Sequence, residues 1–168
     1  GFGDNSKAAL VTRAIAEIRR LGVACGARAE TFAGLSGLGD LTVTCFSSLS
    51  RNYQFGLRIG RGEKPEAILA DSVSVVEGYP TARSAWNLAR TRNVSTPIIG
   101  EVYAMLHEGK DLRQALLDLT TRDAGAEVPF LRPSDISDDL ATTEAVLTHA
   151  LLTQEESAGK QFDIGVFL

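Results

Sequence analysis

The residues with chemistry in them crowd into Gly34 to Asn52, GLSGLGDLTVTCFSSLSRN. Gly34, Gly37 and Gly39 let backbones approach closely and clear side chains from the path of a ligand. Asp40 stands between apolar Leu38 and Leu41, where a carboxylate is costly to bury without a partner. Ser50-Arg51-Asn52 adds a planar, permanently charged guanidinium suited to phosphate oxygens. The set reads as one half of a site for a small phosphorylated polyol. No matching second half is evident elsewhere in the chain.

Each of these residues also has a plainer reading. Asp40, after Gly39, occupies an ordinary place for a turn or helix-cap acid. Ser50 can be an N-cap and Arg51 a solvated first-turn residue. Against that, a first-turn arginine opposes the helix dipole, and a bound phosphate would reverse the sign of that interaction. Glu77, in VSVVEGYPTA, reads as loop chemistry without further context. His107 and His149 lie far apart, with no Cys or carboxylate at ligand spacing, which argues against a metal site. Cys45 has no obvious base beside it and reads as core or as support behind a site.

These residues need a scaffold, and helical spacing supplies it. Leu10, Val11, Ala14, Ile15, Ile18 and Leu21 recur every three or four residues, with Lys7, Arg13, Glu17 and Arg20 on the other side. Asp4, Asn5 and Ser6 are candidate caps, and Gly22 and Gly26 candidate stops. Further helices are expected over Glu30–Leu38, Ser50–Gly60, Lys64–Asp71, Thr81–Arg92, a stretch from Pro97 to Gly109 capped by Thr96, and Leu112–Thr120 capped by Asp111. Val73 to Pro80 reads as extended or looped. No pair of alternating strands joined by a hairpin turn appears before residue 124, so the body is expected to be all-α, with six to eight helices.

At 168 residues the chain is long enough for one domain with a real core. Residues 1–124 carry fifteen Lys/Arg against thirteen Asp/Glu, and residues 125–168 carry two against eight, so the net −4 is +2 followed by −6. The first part suits a small anion; neither part has the basic stripe of a nucleic-acid binder. Cys25 and Cys45 cannot make a disulfide framework and read as reduced, semi-buried thiols of a cytoplasmic protein. No apolar run is long enough to span a bilayer. The chain opens at Gly1, not Met, and is expected to be part of something longer. Beyond residue 124, prolines 129 and 133 punctuate a linker-like stretch, a helix is expected over Asp138–Gln154, and QFDIGVFL alternates weakly at period two. Neither GFGDNS, with Ser6 at the third glycine position, nor GLSGLG is a dinucleotide fingerprint.

Together GFGDNSKAALVTRAIAEIRRLGVACGA, TFAGLSGLGDLTVTC, SRNYQFGLRIGRGE, VVEGYPTARSAWNLA and TPIIGEVYAMLHEGKDLRQALLDLTTRD resemble the C-terminal substrate domain of NAD(P)-dependent glycerol-3-phosphate dehydrogenases, the bacterial form above all. The resemblance implies an all-α domain of the 6-phosphogluconate dehydrogenase C-terminal-like type over residues 1–123, with residues 124–168 an unassigned linker and tail. It implies an enzyme interconverting sn-glycerol 3-phosphate and dihydroxyacetone phosphate, for glycerophospholipid precursor synthesis. By motif, Asp40, Ser50, Arg51 and Asn52 would contact the substrate, and Arg51, Val75 and Glu77 the cofactor side. The catalytic lysine of that family lies in a segment ahead of the GFGDN motif. Lys7 does not match its motif and reads as solvated. NAD or NADP would be carried by a Rossmann domain that this sequence does not contain, so no cofactor is expected on this chain alone and the isolated chain is expected to be inactive. A homodimer is a candidate assembly. Two other readings stand beside it: the helical domain of a hydroxy-acid or ketopantoate-type dehydrogenase, and a non-catalytic helical interaction module.

Overall fold

A computed structural model describes residues 3–121, and every regular element among them is helical. The linker prolines, the helix expected over residues 138–154, the terminal alternation, His149 and the 123/124 boundary lie outside the described residues.

The first helix, α1, spans Asp4–Ala24. Gly3 is its N-cap and no side chain caps it, so Asp4, Asn5 and Ser6 do not serve as caps. Asp4 already sits in the first turn, where its charge meets the positive end of the helix. Nor does Gly22 stop the helix. The Phe32 ring lies so close that a Cβ on Gly22 would overlap it, and the turn is left to Gly26 at φ 92°.

The single helix expected over Glu30–Leu38 is instead a 3₁₀ turn, Ala29–Ala33, followed by a π-helical turn, Leu35–Gly39. Gly39 N–H donates to the Gly34 carbonyl at 3.2 Å, the wide π spacing. Gly37 is buried against the Phe32 backbone, leaving no room for a Cβ. The chain then enters α2, Asp40–Phe46, which the sequence pattern does not announce. Thr42, Val43 and Thr44 are weak helix formers. What holds α2 is tertiary: Cys45 is buried beside Val11, with Leu10 and Leu41 packed around them.

The helix α3, Arg51–Gly60, follows Ser50, whose Oγ accepts the Tyr53 N–H at 3.2 Å as an N-cap. Phe55 is its fully buried residue. Pro65 opens α4, Pro65–Asp71. Arg58 joins α3 to α4 through Glu63 at 2.6 Å and Asp71 at 3.0 Å. The helix α5 spans Gly78–Thr91, starting before the expected Thr81. Pro80 is tolerated because a first-turn residue has no helical N–H partner to lose. Next come α6, Pro97–His107, and α7, Leu112–Thr120, the latter capped by Asp111 as expected.

The core centres on α6: Ile98, Val102, Met105 and Leu106 meet Phe55, Ile68, Val76 and Ala82. The helices α5 and α6 run antiparallel, with Trp86 stacked on Tyr103 at 5.8 Å and Tyr79 against His107 at 4.4 Å. A further expectation for α1, that Glu17 lies opposite its apolar stripe, also fails. Glu17 is not on a solvated side; it is 1% exposed and accepts the Ile98 and Ile99 N–H groups at 2.9 and 3.1 Å. Thr96, expected to cap α6, makes no side-chain cap bond. The carboxyl of Glu17 does that work from across the fold, satisfying two of the donors a helix start leaves open.

Candidate functional site

The six residues singled out in the sequence fall at three neighbouring places. Asp40 is the first residue of α2 and is exposed. The π turn before it runs straight into the helix, so Asp40 is neither a loop residue nor a buried acid. Ser50, Arg51 and Asn52 form the start of α3. Val75 and Glu77 lie on the strand-free approach to α5, both exposed, with Glu77 immediately before Gly78.

One hydrogen bond joins two of these places. Gly78 N–H, the first donor of α5, bonds to Asn52 Oδ1 at 3.1 Å. The side chain of Asn52 thus crosses from the start of α3 to cap the start of α5. This puts the Ser50-Arg51-Asn52 corner beside the Val75–Glu77 rim. It also commits the amide oxygen of Asn52, leaving its NH₂ as the group to offer a ligand. Ser50 is divided in the same way: its Oγ accepts from Tyr53, and its hydroxyl proton is available to an acceptor. Arg51 is exposed and makes no ion pair with a described residue. Asp40 makes no hydrogen bond to these residues; it belongs to the same region through its neighbour Leu41.

Leu41 and Gly78 both line a cavity of about 190 Å³, walled also by Ala14, Glu17, Ala82 and Ile98. Its lining is almost wholly apolar and includes no lysine or arginine. An anion would not be stabilised there. Arg51 is not among the residues lining the cavity and sits at the positive end of α3. Two apolar residues flank these places in the chain and are exposed: Leu49, 91% exposed, just before Ser50, and Val75, two residues before Glu77.

The two thiols divide sharply. Cys25 is exposed and Cys45 buried, so neither is the half-buried group expected. Burial pushes the Cys45 thiol up to about 11, which suits packing and not nucleophilic chemistry. Among the described residues no three His, Cys, Asp or Glu side chains gather as a metal would require, and no helix is long and apolar enough to cross a membrane.

Sequence reasoning missed Glu17 and His107. A signal for Glu17 was present: residues 10, 14, 17 and 21 share one helical face, and the flanking three are apolar. No local signal marks His107, whose partners, Tyr79 and Arg83, come from another helix.

Comparison with known proteins follows the same residues. The family described as the C-terminus of NAD-dependent glycerol-3-phosphate dehydrogenase matches residues 1–117. A glycerol-3-phosphate dehydrogenase [NAD(P)+] of Citrifermentans bemidjiense is 50% identical over 127 residues, which is 76% of this chain and 38% of that one. Its counterpart in Vibrio vulnificus is 47% identical over 127 residues, 76% of this chain and 37% of its own length. The crystal structure of glycerol-3-phosphate dehydrogenase from Coxiella burnetii is similar with a TM-score of 0.69 and 37% identity, over 71% of this chain and 37% of that chain. The chain therefore spans little more than a third of the length of the curated relatives it matches.

Proposed function

The chain belongs to the family of NAD-dependent glycerol-3-phosphate dehydrogenase C-terminal domains, and from that premise we propose that it is the substrate-binding domain of an enzyme interconverting sn-glycerol 3-phosphate and dihydroxyacetone phosphate. The observation that carries the reading is the Asn52–Gly78 hydrogen bond. It sets the start of α3 beside the start of α5, which supports reading Ser50–Asn52 and Val75–Glu77 as parts of one edge.

In this reading Arg51 receives the phosphate end with its guanidinium fork. The hydroxyl of Ser50, the amide NH₂ of Asn52 and the start of α3 add neutral donors around the same oxygens. Asp40 accepts from a substrate hydroxyl and fixes the carbon chain. Anchoring the remote phosphate organises the reacting end, which is how binding energy far from the chemistry raises a rate. A nicotinamide cofactor supplies or accepts the hydride at the carbon bearing the oxygen. Val75 offers an apolar surface and Arg51 and Glu77 polar contacts to that group, which fits one wall of a cofactor site and not a whole one. Reduction develops negative charge on the carbonyl oxygen, and a cation must meet it. Neither Asp40 nor Ser50 can supply one, and Arg51 is taken up by the phosphate and the cofactor side, so that group comes from outside this set. The exposed Leu49 and Val75 suit closure against a cofactor-bearing domain.

Titration of the 168-residue chain with glycerol 3-phosphate and, separately, with glycerol, followed by amide NMR, tests the reading. The phosphorylated ligand is expected to bind more tightly and to shift the Arg51 and Asn52 amides. Equal response to both ligands would overturn the phosphate assignment and favour a hydroxy-acid or ketopantoate-type relative.

A further inference from the structure

The start of α5 carries one side of the proposed site, and it is gripped from two directions. From α3, Asn52 Oδ1 accepts the Gly78 N–H, and Phe55 meets the Tyr79 ring edge-on at 6.1 Å. From the last turn of α6, the His107 ring lies against that of Tyr79 at 4.4 Å, its Nε2 2.9 Å from the Tyr79 carbonyl. The second ring nitrogen, Nδ1, is 2.9 Å from Arg83 Nη2.

The neighbours of His107 dictate its tautomer. A carbonyl oxygen only accepts and a guanidinium only donates. Nε2 must therefore carry the hydrogen and Nδ1 the lone pair, the neutral Nε2–H form. In that form the ring bridges two points of α5, the Tyr79 carbonyl and the Arg83 side chain, while resting on Tyr103 at 5.3 Å. Tyr79 follows Gly78 directly. The Tyr79 carbonyl belongs to the second peptide after the one whose N–H meets Asn52, so a force on it acts within the same first turn of α5.

We propose that His107 is a positioning residue for the anion site: its Nε2–H, held on the Tyr79 carbonyl, keeps the first turn of α5 where Gly78 can bond to Asn52. The part of this concerning the ligand rests on the glycerol 3-phosphate reading; the part concerning Gly78 does not.

Two substitutions in the whole chain separate the hydrogen bond from the packing. His107→Phe keeps a ring between Tyr79 and Tyr103 and removes the donor. His107→Gln keeps an amide donor and removes the ring. Hydrogen–deuterium exchange at the Gly78 amide and the affinity for glycerol 3-phosphate are the two readouts. H107F is expected to speed Gly78 exchange and weaken binding by about fivefold each, the range of one lost neutral hydrogen bond. H107Q is expected to remain within about twofold of the parent chain in both. An H107F chain equal to the parent, or an H107Q chain as impaired as H107F, would overturn the proposal. If neither variant folds, ¹⁵N NMR of the unmodified imidazole decides: an Nδ1–H tautomer overturns it and an Nε2–H tautomer supports it. Failure of the parent chain to bind glycerol 3-phosphate would count against the substrate reading alone, leaving Gly78 exchange to judge His107.

Discussion

The carboxyl of Glu17 reaches across the fold to the backbone of Ile98, accepting its N–H at 2.9 Å and that of Ile99 at 3.1 Å. A side chain from α1 thereby caps α6, the helix at the centre of the core. The arrangement solves a problem set by Thr96, which precedes the helix but makes no side-chain cap bond. It also places a carboxyl group in the wall of the apolar cavity that Leu41 and Gly78 help to line.

Removing that carboxyl should cost more than an ordinary cap. Glu17→Ala leaves the buried Ile98 N–H and the part-buried Ile99 N–H without acceptors and opens space, for an expected loss of about 2–4 kcal/mol. Glu17→Gln retains one acceptor oxygen and should lose about 1–2 kcal/mol. Urea unfolding of both variants checks the order; equal losses would show that the cap is not what matters.

Arg51 carries the phosphate in the proposed site but no ion pair with a described residue. In an enzyme carrying this domain, Arg51→Ala should lower kcat/KM for dihydroxyacetone phosphate by about one to two decades. Its urea midpoint should be unchanged, since nothing in the described fold depends on that side chain. Parent-like kinetics would remove Arg51 from the site.

Gly37 and Gly34 stand close in sequence and differ in space. A Cβ on Gly37 would run into the Phe32 backbone, whereas one on Gly34 meets only the Thr31 carbonyl at 3.6 Å. Gly37→Ala is expected to lose about 3 kcal/mol, the upper end for overpacking, because backbone cannot step aside as a side chain can. Gly34→Ala should fall within about 0.5 kcal/mol of the parent. Denaturation midpoints of the pair give the comparison.

The two thiols should be separable by reagent. With Cys45 buried and its thiol raised to about 11, only Cys25 should react with a disulfide reagent at neutral pH in the folded chain. Both should react in denaturant. Rapid labelling of Cys45 under native conditions would mean that α2 opens readily from α1.

Acid should weaken the α3–α4 and α6–α7 links. The hydrogen bond from Arg58 holds Glu63 below its ordinary 4.5, and that from Lys110, helped by Gln114, holds Asp118 below 3.8. In the unfolded chain these groups take up protons first as pH falls. Their stabilisation is therefore intact above those ordinary values and is lost as pH drops through the lower, folded ones. Both pairs are solvent-screened, so the effect is modest. Glu63→Gln should flatten part of the fall in urea midpoint between about pH 5 and pH 3. An unchanged slope would count against the Arg58–Glu63 link.

Helical periodicity made most of the scaffold legible in the sequence. The apolar stripes of α1 and α6, the caps Ser50 and Asp111, and Pro65 in the first turn of α4 are local signals, and local interactions are what a linear pattern records. So are the ordered motifs that carry the family likeness. Elements that rely on distant partners were not legible. The helix α2 is built from weak formers and exists because Cys45 buries against α1. The early start of α5 depends on Asn52, and the capping of α6 on Glu17. The candidate site divides along the same line. From residue type and spacing the sequence marked Asp40, Ser50, Arg51 and Asn52 as suited to a phosphorylated ligand, and only the family resemblance added Val75 and Glu77 on a cofactor side. Only the tertiary structure decided that Asn52 spends its oxygen on Gly78 and that His107 braces the same turn. A hydrogen bond between helices depends on how they pack, and no spacing along a single helix encodes that.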